Sequence, residues 1–436
     1  MANHTADVVI IGAGVIGTSI AYEMAKTGLK TISIDKNSQV GFGSTAGSCA
    51  IIRMHYSTYD GTALAWEGYH YWRDWSEYLG LKSNIELAKF KETGCLVMKT
   101  SANKFLEKHM KYSSDLNCPF EEWDADQTIK NLPIYSLKSF SPAKARNDAK
   151  FGESNGNILT GGVFWPHAGY VTDPALSAQN IALAAQNYGA NFFLGSNVTS
   201  ISQQGGRVSG VGLENGDTIN CPVVINVAGP SSSKINELAG VLSDMTIETR
   251  ALRQEVVHLP SPKDFNFEEN GIIVSDSDIA CYCRPEHGNN ILVGSEDPEC
   301  DESVWVDDPD NFDRNFSEQW MTQAMRYGQR TPSIGIPQTS KGVVELYDTS
   351  SDWIPIYDKS QLPGFYMACG SSGNQYKNAM IAGKMMTSLV DYCELGNDHD
   401  SKPLQFKLPY LDRMIGMEFY SRKRKINTES SFSVLG

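Results

Sequence analysis

The chain contains 436 residues with 37 basic and 51 acidic side chains, a net charge of −14, and 41% of its residues are hydrophobic. This balance is typical of a folded globular protein and excludes a disordered chain. The length fits about three small units or one large two-domain α/β enzyme. The acidic excess argues against a nucleic-acid partner, because few basic side chains remain to neutralise phosphates. The one basic run, residues 422–425, is predicted to lie on a solvated tail.

The lengths of the apolar runs and the pattern of the cysteines indicate the cellular compartment of the protein. No apolar stretch reaches the ~18 residues of a membrane-spanning helix, and the N-terminus lacks the layout of a secretory signal. The nine cysteines are scattered and form no CxxC pair, which predicts free thiols in a reducing compartment, the cytoplasm, and no metal site. Cys281 and Cys283 alternate in a strand-like run, so we expect both thiols to pack in the core.

The opening segment predicts a strand, a helix and a second strand. The run from Asp7 to Ile11 is of the apolar kind that a parallel sheet buries on both faces. A glycine-rich turn follows it, and then a helical stretch from Thr18 to Lys26. The next strand ends at Asp35. This order is a βαβ unit.

The turn between strand and helix carries the pattern GxGxxG at Gly12, Gly14 and Gly17, and Asp35 follows the last glycine by 18 residues. In this context the pattern predicts a dinucleotide site. The three glycines permit a tight turn, a close approach of the backbone to a pyrophosphate, and close packing of the helix. The start of the helix would face the phosphates, and Asp35 would bind ribose hydroxyls. The motif leaves open whether the ligand is FAD or NAD.

Later elements follow the same local patterns. The sequence predicts two buried-type strands that end in small residues, at 223–229 and 364–370. The other elements predicted there are a helix at 175–188, a strand at 191–194, a hairpin at 207–219 with a type I′ turn at Asn215-Gly216, and a helix at 378–392.

A second loop of small residues follows the acidic strand, from Gly41 to Tyr56. With the opening unit and this loop, the sequence resembles the glycine/D-amino-acid oxidase superfamily of flavoproteins, in the branch of monomeric sarcosine oxidase and related N-methyl amino acid oxidases. The resemblance covers most of the chain and is most specific in the opening unit and at residues 43–56 and 370–377. The other matching stretches are Thr172-Asp173-Pro174, Ala228-Gly229-Pro230 and residues 282–286.

The resemblance implies an α/β fold with FAD as the cofactor. A Rossmann-type FAD-binding domain is expected to be interleaved with an α+β substrate domain built on a mixed sheet. The expected segments of the FAD-binding domain are 1–85, 161–232 and 346–400. Those of the substrate domain are 86–160 and 233–345, and residues 401–436 form a C-terminal extension.

The resemblance also implies the roles of individual residues. Arg53 and Lys377 grip the substrate carboxylate, and Tyr347 lines the substrate pocket. A guanidinium offers two parallel hydrogen bonds, whereas an ammonium adds a point charge. The residues implied to hold FAD are Gly12, Gly14, Val15, Ile16, Gly17, Asp35, Lys36, Gly43, Ser44, Thr45, Ser48, Val198, Ala228, Gly229, Gly370, Ser372, Gly373, Asn374 and Lys377.

Three positions depart from the sarcosine oxidase pattern. Glu345 stands where those enzymes bear the cysteine that links to the flavin, so FAD is expected to be held non-covalently. Leu292 replaces the lysine associated with oxygen activation, which makes an acceptor other than oxygen plausible. Glu296 replaces a pocket histidine and adds an anion near the substrate.

The implied activity is the oxidation of a small amino acid or N-alkyl amino acid, such as sarcosine or dimethylglycine. Hydride passes to the flavin N5, and water hydrolyses the resulting imine. The expected partners are this substrate and either oxygen or an electron-transfer acceptor. Two alternatives stay open: a D-amino acid or opine-type dehydrogenase of the same fold, and a non-catalytic flavin-binding subunit of a larger complex.

Overall fold

The computed structural model describes residues 2–435. Its α-helices, in chain order, are α1 (Val15–Lys26), α2 (Tyr59–Arg73), α3 (Trp75–Leu79), α4 (Leu106–Asp115), α5 (Ala125–Asn131), α6 (Pro174–Gln186), α7 (Ser232–Ala239), α8 (Phe267–Asn270), α9 (Glu318–Arg330) and α10 (Ala379–Glu394). Short 3₁₀ helices occupy Gly229–Ser231, Leu242–Asp244, Tyr376–Asn378 and Met417–Tyr420. Within the described residues, no helix has the length and apolar character needed to cross a bilayer.

The strands form two large sheets and several small ones. In chain order they are β1 (Asn3–Thr5), β2 (Val8–Ile11), β3 (Thr31–Asp35), β4 (Ile51–Ile52), β5 (Phe90–Glu92), β6 (Cys95–Met98), β7 (Glu121–Asp124), β8 (Gly161–Trp165), β9 (Gly169–Val171), β10 (Asn191–Leu194), β11 (Val198–Gln204), β12 (Arg207–Leu213), β13 (Thr218–Asn220), β14 (Val223–Asn226), β15 (Thr249–Pro260), β16 (Ile273–Asp276), β17 (Cys281–Glu286), β18 (Asn290–Ser295), β19 (Val304–Val306), β20 (Gly342–Ser350), β21 (Ile356–Lys359), β22 (Phe365–Cys369), β23 (Gln405–Leu408) and β24 (Arg413–Gly416).

The first large sheet has six strands in the order β10-β3-β2-β14-β22-β21. Its neighbours run parallel except for the antiparallel pair β21–β22. Val8 and Ile10 face a core shared with α1, α6 and α10. Val9 and Ile11 face a second core shared with α7 and the small sheet β1-β13-β12-β11. Burial on both faces explains the continuous apolar run, and the predicted Rossmann-type arrangement is confirmed.

The second large sheet is mixed and has nine strands. Its order is β19-β15-β18-β17-β16-β6-β8-β7, and β20 also pairs with β15. The β16–β6 pair is parallel, whereas the other pairs are antiparallel. Helix α9 covers one face through a core that contains Cys281 and Cys283, so the prediction of core thiols is confirmed. Tyr282 lies between these cysteines in β17, where strand alternation turns it to the opposite face.

Two strands do not follow the expected domain division. The expected boundary at residue 161 groups β8 with the FAD-binding segments, but β8 pairs with β6 and β7 in the mixed sheet. Strand β20 continues past the expected boundary at residue 345 and pairs with β15 along its whole length. An apolar run shows that a strand is buried but not which sheet it joins. The domain division as a whole stays a prediction.

The hairpin predicted at 207–219 is present as β12 and β13. Its turn is not of type I′, so that part of the prediction is wrong. A type I′ turn needs two consecutive residues with positive φ. Here Gly216 has a φ of +87°, and Asn215 is not among the residues with positive φ. The loop has four residues between the strands and is closed by a hydrogen bond of 2.9 Å from the Gly216 N–H to the Leu213 carbonyl.

The basic run at residues 422–425 is not a solvated tail, and the prediction is wrong for its two arginines. Arg424 pairs with Asp352 at 2.7 Å. Arg422 is fully buried, and its guanidinium pairs with three carboxylates: Asp244, Asp358 and Asp400. Only the two lysines, Lys423 and Lys425, are exposed. The carboxylates are distant in the sequence, so the charge run itself gave no sign of them.

Candidate functional site

A cavity of about 1010 Å³ lies between the six-stranded sheet and the mixed sheet. Its wall includes the residues that follow β2, β3, β14 and β22, together with side chains from β15, β16, β17 and β20. The first four strands are parallel neighbours, so their carboxyl ends meet at one edge, where open α/β sheets bind ligands. The volume reaches the upper end of the range for ligand pockets, about 300–1,000 Å³. The cavity is therefore large enough for an extended ligand.

Glycines allow three backbone segments to meet at the start of α1. A Cβ on Gly12 would lie 2.2 Å from the Val227 carbonyl oxygen, and a Cβ on Gly17 would lie 2.0 Å from the Gly12 carbonyl oxygen. Gly12 also has a φ of +113°, which other residues rarely adopt. The helix begins at Val15 with Gly14 as its N-cap, three residues earlier than predicted, and its first turn lines the cavity. Exposed backbone at a helix N-terminus fits a pyrophosphate.

Asp35 ends β3 and is held by two backbone N–H groups. Ala13 and Asn37 each donate to its carboxylate at 2.8 Å. Carboxylate oxygens accept several hydrogen bonds, so this fixed group can also bind ribose hydroxyls. Lys36 beside it donates to the Ser231 hydroxyl at 3.1 Å and pairs with Asp310. The pair with Asp310 brings the loop that follows β19 to this part of the cavity.

Hydroxyl groups hold the second small-residue loop in place. Ser44 donates to the Leu346 carbonyl at 2.8 Å, and Thr45 accepts from the Val15 N–H at 3.1 Å. The Ser48 hydroxyl accepts from the N–H two residues further on, at 3.0 Å. The three residues line the cavity. The hydroxyls of Ser44 and Thr45 fix the loop to β20 and α1, and that of Ser48 bonds within the loop. The loop therefore connects the two large sheets along the cavity wall.

In the turn after β22, some of the residues predicted to hold FAD line the cavity and others do not. Gly373, Asn374 and Lys377 line the cavity, whereas Gly370 and Ser372 lie behind its wall. Ser372 is fully buried and donates to the Gly370 carbonyl at 3.1 Å. These two residues therefore shape the turn, and their assignment to cofactor binding stays a prediction. The remaining residues predicted to hold a cofactor line the cavity: Ile16, Gly43, Val198, Ala228 and Gly229.

Arg53 and Lys377 lie in the cavity wall, and both contact Tyr56. The Arg53 guanidinium carbon is 4.3 Å from the centre of the Tyr56 ring, and the Lys377 Nζ is 5.2 Å from it and 2.8 Å from its hydroxyl. Both cations are buried. Within residues 2–435 neither forms a salt bridge. Their other hydrogen bonds go to backbone carbonyls, those of His55 and Val434 from Arg53 and that of Asn374 from Lys377.

The electrostatics of this cluster favour an anion. Burial lowers the pKa of Lys377 well below its usual range, and the charge of Arg53 adds to this effect. Burial raises the pKa of Tyr56 to about 12, so this hydroxyl stays neutral. Buried cations without a countercharge are costly. A bound carboxylate would offset that cost and favour the protonated form of Lys377.

Tyr56 and the Val434 carbonyl are site groups that the sequence reasoning did not find. An aromatic residue three positions after a pocket arginine is a signal for Tyr56, because guanidinium groups stack on aromatic faces. Val434 has no comparable signal, since any residue offers a carbonyl. The extended loop from Arg53 to Tyr56 places both side chains in the buried cluster.

Two tyrosines line the same cavity as the cations. Tyr347 in β20 packs on the bare backbone of Gly373, where a Cβ would lie 2.5 Å from its ring. Tyr282 in β17 lies 3.5 Å from the Cys49 thiol through its hydroxyl. Burial raises the pKa of both tyrosines above their usual range. These neutral groups give the cavity apolar ring faces in addition to its two charges.

The three residues that depart from the sarcosine oxidase pattern lie in different parts of the structure. Glu345 lines the cavity and pairs with Arg314 at 3.3 Å. Leu292 is buried in β18 opposite Arg284, and neither lines the cavity. Glu296 also lies outside the cavity wall, although a pocket position was expected for it.

Glu296 is buried behind Ser275, which is the residue that lines the cavity. Its carboxyl accepts hydrogen bonds from the Ser275 hydroxyl at 2.6 Å and the Ser277 hydroxyl at 2.9 Å. The N–H of Asp276 adds a third at 3.1 Å. The Ser275 hydroxyl therefore connects Glu296 to the cavity wall.

The residues around the glycine turn fit FAD, because backbone there can approach a pyrophosphate and a fixed carboxylate can bind a ribose. The family DAO, described as FAD dependent oxidoreductase, matches residues 7–389. The chain belongs to this family. It is an FAD-dependent oxidoreductase, and the residues lining the cavity from α1 to the turn after β22 are those available to hold FAD.

Several relatives and solved structures are similar to most of this DAO-family chain. Sarcosine oxidase subunit beta from Rhodobacter capsulatus is 24% identical over 389 residues, which span 88% of this chain and 84% of that protein. Among solved structures, L-proline dehydrogenase from P. horikoshii has a TM-score of 0.74 at 19% identity and covers 96% of this chain and 97% of its own. Glycine oxidase from Geobacillus kaustophilus has a TM-score of 0.72 at 19% identity, with coverage of 97% and 100%. The two structures share the fold of this enzyme.

We predict that Glu296→Gln removes a pH-dependent loss of stability. Burial raises the pKa of Glu296 from 4.5 to about 7, while the bonds from Ser275 and Ser277 oppose the shift. A carboxyl whose pKa is raised by folding stabilises the fold fully at pH values below its pKa in the unfolded chain. That contribution is lost as the pH rises through its pKa in the folded protein. Between about pH 4.5 and 8, the free energy of unfolding should therefore fall by roughly 3 kcal/mol more in the wild type than in the variant.

Urea unfolding at a series of pH values measures this difference. Glu269→Gln, at an exposed position, is the matched control for loss of one carboxylate. The difference in the free energy of unfolding between Glu269→Gln and the wild type should not change with pH in the way expected for Glu296→Gln. A Glu296→Gln offset that stays constant over this pH range would contradict the raised pKa.

Proposed function

We propose that this FAD-dependent oxidoreductase oxidises the C–N bond of a small amino acid or N-alkyl amino acid, of the class of sarcosine or dimethylglycine. The observation that carries the proposal is the pair of buried cations, Arg53 and Lys377, which lack a carboxylate partner within residues 2–435. A substrate carboxylate supplies the missing countercharge. The relatives named sarcosine oxidase and glycine oxidase support a substrate of this size.

The side chains of the pocket have distinct roles in this reaction. Arg53 binds the carboxylate through planar N–H donors, and Lys377 adds a point charge. Tyr56 holds both cations in position through its ring and hydroxyl. The two positive charges also disfavour protonation of the substrate amine, so the neutral amine that can donate hydride predominates.

Tyr347 and Tyr282 complete the pocket with neutral aromatic groups. Their burial excludes water from the reacting carbon, which strengthens the electrostatic contacts of the carboxylate. Bound FAD supplies the hydride acceptor at N5, and the imine product is hydrolysed by water.

We predict that FAD is bound non-covalently and is released on acid precipitation. Glu345 stands at the position of the linking cysteine of sarcosine oxidases, and a carboxylate cannot form a thioether. The cysteines that do line the cavity, Cys49 and Cys95, have thiols whose pKa is raised by burial, for Cys95 to about 12. A protonated thiol is a poor nucleophile.

Absorbance of the supernatant and the pellet after acid precipitation measures the release. Flavin that stays with the precipitate would overturn the non-covalent assignment. In that case Cys49→Ser and Cys95→Ser would show which thiol carries it, because one of the two variants would then release its flavin.

We predict that Arg53→Ala lowers kcat/KM for sarcosine by about 30-fold to several thousand-fold, equivalent to about 2–5 kcal/mol. The loss follows because the substrate carboxylate keeps one cation in a desolvated site. Arg53→Lys should recover part of the activity, since an ammonium cannot make the planar two-point contact. Lys377→Ala should cost less than Arg53→Ala, and anaerobic flavin reduction at a series of sarcosine concentrations measures all three.

An amine that lacks the carboxylate is the control for this experiment. Its weak oxidation should fall little further in Arg53→Ala, because the contact removed is absent from that substrate. Bound FAD should stay near the wild-type amount in each variant. Equal losses for sarcosine and for the carboxylate-free amine would remove the support for an amino acid substrate.

We predict that reduced enzyme is reoxidised more slowly by oxygen than by an artificial dye, so that a carrier other than oxygen is its acceptor. Leu292 places an apolar side chain where the resembling oxidases have a lysine, and it is buried in β18. Stopped-flow mixing of reduced enzyme with air-saturated buffer, or with dye under argon, compares the two rates. Reoxidation by oxygen as fast as by the dye would contradict this, and Lys377 and Arg284 would be the cations to substitute next.

A further inference from the structure

The segment Ser430–Leu435, here called the end segment, contributes to the wall of the substrate pocket. Val434 and Leu435 line the cavity that also contains Arg53 and Lys377. The Val434 carbonyl accepts a hydrogen bond of 2.8 Å from Nη2 of Arg53, and its side chain is buried. A part of the chain far from the family's motifs thus binds the cation proposed to bind the substrate.

Contacts before and within the end segment hold it in this position. Lys108 on α4 pairs with Glu429, and both side chains are substantially exposed, at 37% and 60%. The Ser431 N–H donates to the Ser57 hydroxyl at 3.1 Å. The contact with Arg53 follows three residues later. The exposed ion pair contributes little to stability, so most of the attachment comes from the burial of Ser430, Ser433 and Val434.

The contact between Arg53 and Val434 is weaker than the one that a substrate would make. A carbonyl is a neutral acceptor, whereas a carboxylate forms charge-assisted hydrogen bonds that are roughly twice as strong. The carboxylate also offsets the two buried charges, for which residues 2–435 provide no carboxylate partner. Exchange of one acceptor for the other therefore favours displacement of the end segment when an anion enters.

We propose that the end segment is a gate that competes with the substrate carboxylate for Arg53 and leaves that residue when substrate binds. This inference rests on the proposed function, since it assumes that Arg53 binds the carboxylate. It assigns to the end segment control over access to the pocket. Weakening its attachment should therefore tighten the binding of small carboxylates.

Titration of the oxidised holoenzyme with sodium acetate, followed by the flavin absorbance spectrum, tests the gate without turnover. Acetate has the carboxylate but no amine to oxidise. Deletion of residues 431–436 should lower the Kd for acetate about tenfold, the order expected when one competing hydrogen bond to a charged group is removed. Lys108→Ala, which keeps the whole chain, should lower it about two- to fivefold.

Lys111→Ala is the matched control, because Lys111 lies on the same helix and pairs with Asp115 in that helix. Its Kd should equal that of the wild type. Hydrogen–deuterium exchange gives a second readout, and saturating acetate should increase exchange at residues 430–435. A Kd that rises or stays constant in both the deletion and Lys108→Ala would overturn the gate, as would slower exchange of the end segment with acetate bound.

Arg53→Ala separates failure of the gate from failure of the proposed function. If Arg53 binds carboxylates, this variant should bind acetate more weakly, and in its background the deletion should give no gain. A Kd for acetate that does not depend on Arg53 would refute the carboxylate site, and the gate with it. A Kd that depends on Arg53 but is not lowered by freeing the end segment would refute the gate and leave the carboxylate site in place.

Discussion

Burial of two positive charges beside a neutral tyrosine is the constraint around which the pocket is organised. Arg53 and Lys377 are removed from water, and among residues 2–435 the groups that solvate them are the hydroxyl of Tyr56 and backbone carbonyls. Dipoles of this kind reduce the cost of a buried charge but do not cancel it. The carbonyls come from the loop after β4, the turn after β22 and the end segment. The cluster therefore exists only when these three parts of the chain converge.

The parallel sheet makes this convergence possible. Strands β2, β3, β14 and β22 end at one edge, and each is followed by residues of the cavity wall. Glycines at that edge keep the backbones close enough for one ligand to touch several of them, as the 2.2 Å approach of a Cβ on Gly12 to Val227 shows. The mixed sheet then supplies side chains that glycine-rich turns cannot, among them Tyr282 and Tyr347. One sheet provides a place for the cofactor and the other shapes the space for a substrate.

Local pattern and family resemblance predicted the elements that depend on near neighbours in the sequence. The unit β2-α1-β3 follows from its apolar period and its glycines, and the resemblance led to Arg53, Lys377 and Tyr347, which do line one cavity. Spacing within a motif does not show which way a residue faces. For that reason the motif predicted that Gly370 and Ser372 belong to the turn, but it did not show that they lie behind the cavity wall.

Contacts between distant parts of the chain were beyond the reach of the same reasoning. The carboxylates around Arg422 belong to three separate segments, and the carbonyl on Arg53 belongs to a residue without any motif. Glu296 shows a related difficulty, since its carboxyl is held by Ser275 in β16 and by Ser277 just after that strand. Such interactions are decided by tertiary packing, which neither period nor composition records.

The buried arginine near the end of the chain also affects how the first sheet meets its surroundings. Strand β21 is an outer strand of that sheet, and a bare outer strand offers unpaired N–H and carbonyl groups to any other extended chain. Here the Arg422 backbone N–H and guanidinium both bind Asp358 of β21, at 2.8 and 2.9 Å, and the 3₁₀ helix Met417–Tyr420 packs against the same strand. The residues after α10 thus cover this edge, and the charges that tie them there protect the sheet from adding strands of neighbouring molecules.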